Sequence, residues 1–129
     1  MEECKKLSND NIILKGNVDN VNDYLTASDY YISASESEGL PNSVLEAGRS
    51  GLNLILSDIP QHKEVFEKQL HFTSLFNVGD VETLTNLLDY QIKTNKSVMN
   101  IELANYIEEN FSHEVMSSKY QELYKNMIK

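Results

Sequence analysis

Residues 33–47 read SASESEGLPNSVLEA, and the fold follows from how this stretch is parsed. Asp29-Tyr30-Tyr31-Ile32-Ser33-Ala34 leads into it, rich in aromatic and branched residues, as a strand requires. Ser35 to Leu40 is polar and contains Gly39, so it reads as a turn. Asn42 to Gly48 then carries apolar residues at helical spacing. A strand that turns at once into a helix is half of a βαβ unit, and such units build parallel sheets. In open α/β sheets the crevice beyond the carboxyl ends of the strands is where ligands bind. The turn 35–40 falls there.

The local chemistry suits an anion. Pro41 is predicted at the first helical position, where its missing N–H costs nothing. The amides of Asn42 and Ser43 would then be free donors at the positive end of the helix. Gly39 lets the backbone approach a ligand closely. Glu38 stands just outside the helix, and Glu46 lies about one and a half turns inside it, roughly 7 Å along the axis. A ligand with a central diphosphate and hydroxyl-bearing groups at both ends fits this arrangement, and a sugar nucleotide is such a ligand. The plain alternative is that Glu38 caps the turn and Glu46 is an exposed helix residue.

Outward from this stretch the alternation continues. Glu2 to Leu7 reads as the end of a helix, and Ile12 to Lys15 as a short buried strand before Gly16. A helix is predicted from Asp19-Asn20, carrying Val21, Tyr24 and Leu25. Asn53 to Ser57 is a third strand, Gln61 to Glu67 a short helix, and 71–77 contains a fourth strand near Ser74. Val81 to Lys93 places apolar residues at 81, 84, 87, 88 and 92, one buried face. Ile101 to Asn110 and a segment after Ser112 complete the helices. The predicted fold is α/β, a Rossmann-like parallel sheet with helices on both faces and four strands.

Composition narrows the partners. The chain has 129 residues, enough for one domain, and 40% are apolar. Eleven basic residues face twenty acidic ones, a net charge of −9. Such a surface repels nucleic acid. The single cysteine, Cys4, forms no internal disulfide, which points to a reducing, cytoplasmic setting. No Cys/His spacing offers a metal site, so metal ligands are none. No transmembrane segment or signal peptide can be built from apolar runs this short.

Other polar residues are weighed against plainer roles. Glu36 lacks the following glycine and reads as a solvated loop carboxylate. Ser33, Ser35 and Ser37 lack the turn of a nucleophile elbow, and strand-end polarity explains them. His62 reads as surface, His71 and His113 as structural, the latter following Ser112, a good helix cap. Arg49 complements the dipole at its helix end. Tyr106, Tyr120 and Tyr124 fall at helical spacing and read as core or interface.

Glu38 and Glu46 are separated by seven residues. With SESEGLP around the first, and LEAGRSGLNLILSDIP around and beyond the second, they resemble the E-x7-E segment of retaining glycosyltransferases of family 4, which have the GT-B fold. The similarity extends upstream through LKGNVDNVNDYLTASDYYISAS and downstream through DIPQHKEVF, and FSHEVMSSKYQELY resembles the closing helix of that family. The resemblance implies that residues 1–129 are most of a carboxyl-terminal, donor-binding domain, amino-terminally truncated. It implies that Glu38 contacts the donor sugar and assists transfer. Gly39, Leu40, Pro41, Asn42 and Ser43 would line the sugar and diphosphate, and Glu46 would hold the ribose hydroxyls. Gly16, Asn17 and Val18 would lie near the base. It implies no metal and no cofactor beyond the nucleotide-diphosphate sugar donor.

The family's basic diphosphate clamp and amino-terminal acceptor domain have no match in these residues. The expectation is therefore a hexosyltransferase fragment, inactive alone and prone to self-association. It would serve surface polysaccharide or glycan synthesis in the cytoplasm, at the inner face of the membrane. A non-catalytic nucleotide- or phosphate-binding module is the alternative, and a GT-B epimerase acting on a sugar nucleotide a weaker third.

Overall fold

The computed structural model of the chain describes residues 2–67, 69–94 and 99–128. The elements are α1 (Glu2–Leu7), α2 (Val21–Thr26), β1 (Tyr30–Ser33), α3 (Asn42–Arg49), β2 (Asn53–Ser57) and α4 (Pro60–Val65). A 3-10 turn (Leu70–Phe72) leads into β3 (Thr73–Phe76), followed by α5 (Val81–Thr94), α6 (Ile101–Phe111) and α7 (His113–Met127). The strands form one parallel sheet in the order β1-β2-β3. The α/β expectation holds, with three strands among the described residues where four were predicted.

The register assigns the two faces. Tyr31 pairs with Leu54, which pairs with Thr73, and Ser33 pairs with Leu56, which pairs with Leu75. This face meets α3 and α6: Leu54, Leu56, Val44, Ala47, Leu103 and Ile107 share one buried cluster. The alternate residues Ile32, Ile55 and Ser74 form the other face. There α5 lies across the sheet, since Gln91 Nε2 donates to Ser74 Oγ at 3.1 Å and Tyr30 OH donates to Gln91 O at 3.0 Å. β2 is thus covered on both sides, with Leu54, Ile55 and Leu56 at 2%, 0% and 0% exposure. That explains why Leu54-Ile55-Leu56 is a continuous apolar run rather than an alternating one. Burying each such side chain stabilises the fold by about 1.5–3 kcal/mol.

Close approach of α3 to α6 depends on small residues. Ala47 is fully buried, and a Cβ built on Gly48 would lie 3.0 Å from Ile107 Cγ1. The end of α3 is turned by Gly51 at φ +71, whose carbonyl accepts from Asn100 N at 2.8 Å. This ties the start of β2 to the start of α6, where Asn100 caps the helix by accepting from Leu103 N at 3.0 Å. α7 begins in the same way, with Ser112 Oγ accepting from Val115 N at 3.4 Å.

Three sequence expectations are corrected here. Residues 12–15 are not a strand: they pair with no described strand, and Ile13 is 72% exposed. Apolar composition alone cannot hold an extended segment that has no neighbouring edge to take its N–H and C=O groups. The predicted buried face of α5 is shifted. Val81 and Ile92 are exposed, whereas Thr83, Leu84, Leu87, Leu88 and Gln91 are half-buried. His62 is not a surface residue but 1% exposed.

Candidate functional site

The stretch 33–47 folds as read, with one change at the helix start. Ser33 ends β1, residues 34–40 form an irregular turn at the carboxyl end of the sheet, and α3 begins at Asn42. Pro41 is the residue before the helix rather than its first member, with φ −77 and ψ 70. Its carbonyl accepts from both Val44 N and Leu45 N. The amide of Asn42 is not free, because it donates to Leu40 O at 2.8 Å. A ψ of 70° folds the chain back early, and that brings the Leu40 carbonyl within reach. The amide of Ser43 has no such acceptor among the described residues. Its side chain is fixed by Tyr31, whose OH donates to Ser43 Oγ at 2.7 Å.

Glu38 is half-buried and Glu46 exposed. Glu38 Oε1 accepts from Ser35 Oγ at 2.5 Å. Ser35 O in turn accepts from Ser57 Oγ at 2.6 Å, reaching across to the end of β2. Ser57 is fully buried, and its carbonyl lies 2.8 Å from His62 Nδ1. A carbonyl only accepts, so the imidazole proton sits on Nδ1. Ser33, also buried, donates to Ser35 Oγ at 3.3 Å. The carboxylate is therefore linked through hydroxyls and main-chain carbonyls to β2 and α4.

Two hollows flank the amino end of α3. One, of about 250 Å³, is lined by Gly39, Leu40, Pro41, Gln61, Glu64, Val65 and Phe111. The other, of about 340 Å³, is lined by Asn42, Leu45, Glu46, Arg49, Ile107, Glu108, Phe111, Ser112 and His113. Phe111 borders both, at the junction of α6 and α7. Arg49 is the basic side chain lining them, and Glu108 holds it at 2.8 Å. Lys63 on α4 is likewise paired, with Asp58 at 2.6 Å. Any anion here would rest chiefly on backbone donors.

The structure does not join all of the predicted set, and Glu38 and Ser43 line neither hollow. Gly39, Leu40 and Pro41 share one hollow, while Asn42 and Glu46 share the other. Gly16, at φ +70, Asn17 and Val18 line neither. They precede α2, which leads into β1 through residues 27–29. Sequence reasoning missed Phe111, Ser57 and the buried role of His62. Ser35, three residues before Glu38, was within reach as a local side-chain turn. Phe111 and His62 meet the turn through tertiary packing that spacing does not show.

No group of three or more His, Cys, Asp or Glu side chains among the described residues could hold a metal ion. No helix among them is long and apolar enough to cross a membrane. Away from the site, Tyr106 joins Phe66, Phe72 and Phe111 in an aromatic cluster, and its OH donates to Val65 O. Burial, aided by Glu67, pushes its phenol above the ordinary value. Tyr120 and Tyr124 are 56% and 60% exposed, so they are not core.

Comparison with known proteins supports the α/β fold. A family model described as "Glycosyl transferases group 1" matches residues 1–93. The chain is 27% identical over 112 residues to the O-antigen biosynthesis glycosyltransferase WclY of Escherichia coli, covering 87% of this chain and 31% of that protein. It is 42% identical over 57 residues to the capsular polysaccharide biosynthesis glycosyltransferase CapH of Staphylococcus aureus, covering 44% of this chain and 16% of that protein. The chain thus spans about a third or less of the curated relatives it matches.

Proposed function

This chain belongs to the group 1 glycosyl transferases, and we propose that it is the donor-binding half of a longer retaining enzyme of family 4, of the GT-B type. The observation that carries this reading is that Glu38 lies in the turn after β1, at the carboxyl end of a parallel sheet, with Glu46 on the helix α3 that follows this turn. Glu38 accepts hydrogen bonds from donor sugar hydroxyls and supports the anomeric centre as the diphosphate departs. The Ser43 amide and the backbone around Gly39 and Leu40 receive the diphosphate. Glu46, in the hollow beside α6, accepts the ribose hydroxyls. The turn Gly16-Asn17-Val18 borders the base.

The protein partner is an acceptor-binding domain that closes the cleft, and the cations that neutralise the diphosphate come from residues outside these 129. No metal takes part. Surface polysaccharide or another envelope glycan, made at the inner face of the membrane, is the product class that the names of the relatives favour. The 129 residues alone bind donor weakly and transfer nothing.

The test is transfer by the complete enzyme, with a panel of nucleotide sugars and the product's anomeric proton read by NMR. Retention of the donor's configuration is the expected result. Inversion would overturn the mechanistic class. Nucleotide binding without transfer or donor hydrolysis would favour a non-catalytic binding module.

A further inference from the structure

The turn that carries Glu38 is irregular from residue 34 to residue 40, yet its carboxylate must be held at a reacting centre. A glutamate on such a turn has three side-chain torsions and an irregular backbone to restrain. α3 does not restrain them, because it begins only at Asn42. The restraint comes from the neighbouring strand. Ser57, at 0% exposure, spends its hydroxyl on Ser35 O at 2.6 Å, and Ser35 spends its own on Glu38 Oε1 at 2.5 Å. Behind Ser57, His62 Nδ1 donates to the Ser57 carbonyl at 2.8 Å, while Nε2 meets no polar atom among the described residues. The imidazole makes its contacts through Nδ1 alone, to the Ser57 carbonyl and, at 3.5 Å, to Ser57 Oγ, at the cost of burying an unpaired acceptor. A buried histidine kept on those terms is not explained by packing alone.

We infer that Ser35 and Ser57 are positioning residues for Glu38, anchored by His62, so that β2 and α4 fix the carboxylate against the donor sugar. The role rests on the reading of Glu38 as the residue that assists transfer. The chain of bonds is local in space but not in sequence, joining residues 35, 38, 57 and 62. It acts on orientation rather than on nucleotide affinity, because Ser57 and His62 are buried behind the turn and Ser35 turns its hydroxyl to Glu38. Loss of alignment by about an ångström can cost on the order of 10²-fold in rate.

The experiment uses the complete enzyme with its nucleotide-sugar donor. Ser35→Ala should lower kcat about 10- to 100-fold while donor KM stays within about twofold. Ser35→Thr, which keeps the hydroxyl, should restore most of the rate. Ser57→Ala should act in the same direction, and Ser35→Ala, in a partly exposed turn, covers the case in which Ser57→Ala fails to fold. Glu38→Gln is measured beside them. If Glu38→Gln removes activity while Ser35→Ala turns over normally, the positioning role is wrong and the proposed function stands. A donor KM that rises with kcat unchanged would equally overturn it. If Glu38→Gln itself leaves turnover intact, the catalytic reading falls and this role falls with it.

Discussion

Ser57 Oγ and Ser35 O are joined at 2.6 Å across 22 residues of sequence. That bond links the end of β2 to the turn after β1, so the crevice at the carboxyl end of the sheet is cross-braced rather than loosely looped. Glu38 hangs from the same turn, while Glu46 rides on the rigid helix that follows it. The two carboxylates are therefore held by different means, and substitutions that loosen one need not disturb the other.

The packing beneath α3 sets its position. Gly48→Val would push a side chain into Ile107, where even a Cβ meets Cγ1 at 3.0 Å. The expected loss is about 1–3 kcal/mol, from overpacking. Urea unfolding of the variant checks it, and an unchanged midpoint would show that α6 can move away freely.

Much of this was legible in the sequence, for definite reasons. β2 was readable because the centre of a strand covered on both faces is apolar without alternation, and 54–56 is such a run. The strand-turn-helix at 33–47 was readable because glycine, proline and the apolar spacing each mark a boundary. Ile12 to Lys15 misled because it has a strand's composition without a strand's neighbour. His62 misled because its burial depends on how α4 folds back on the end of β2, where the Ser57 carbonyl accepts from its Nδ1, and residue type alone does not set that. The early fold-back at Pro41 depends on one backbone angle, which residue type alone does not set.

Acid stability should be sensitive to Asp80. Its carboxylate caps α5, accepting from Thr83 N at 2.9 Å and Thr83 Oγ at 2.7 Å. The backbone bond first, and the hydroxyl second, hold its carboxyl below the ordinary value of 3.8. A depressed folded-state value means that the stabilisation is present above 3.8 and fades as pH falls through the lower, folded-state value. Asp80→Ala should therefore be less stable than wild type at neutral pH, with the gap closing in acid. Thermal unfolding between neutral pH and pH of about 3 measures this. A gap that does not narrow would contradict the cap.

The isolated chain should self-associate. β1 and β3 are the outer strands of the described sheet, and Ile32 on β1 is 42% exposed. Ile13, Leu123, Tyr124 and Met127 add apolar surface at 53–73% exposure. Unpaired edges and apolar patches seek partners. Sedimentation velocity should show dimers or larger species that dissociate on dilution. A monomer at high concentration would count against it.

The central claim is that Glu38 serves the transition state and Glu46 the donor's ribose, and the most direct measurement is steady-state kinetics of Glu38→Gln and Glu46→Gln in the complete enzyme, with nucleotide binding by calorimetry. Glu38→Gln keeps the shape and removes the charge. Its kcat should fall by about 10²-fold or more, with nucleotide affinity little changed, as for a charged partner at a reacting centre. Glu46→Gln should instead raise donor KM and weaken free nucleotide by roughly ten- to a hundredfold, the range of one charge-assisted hydrogen bond. If neither change alters turnover or donor binding, the two carboxylates are ordinary surface groups and the assignment of this site is contradicted.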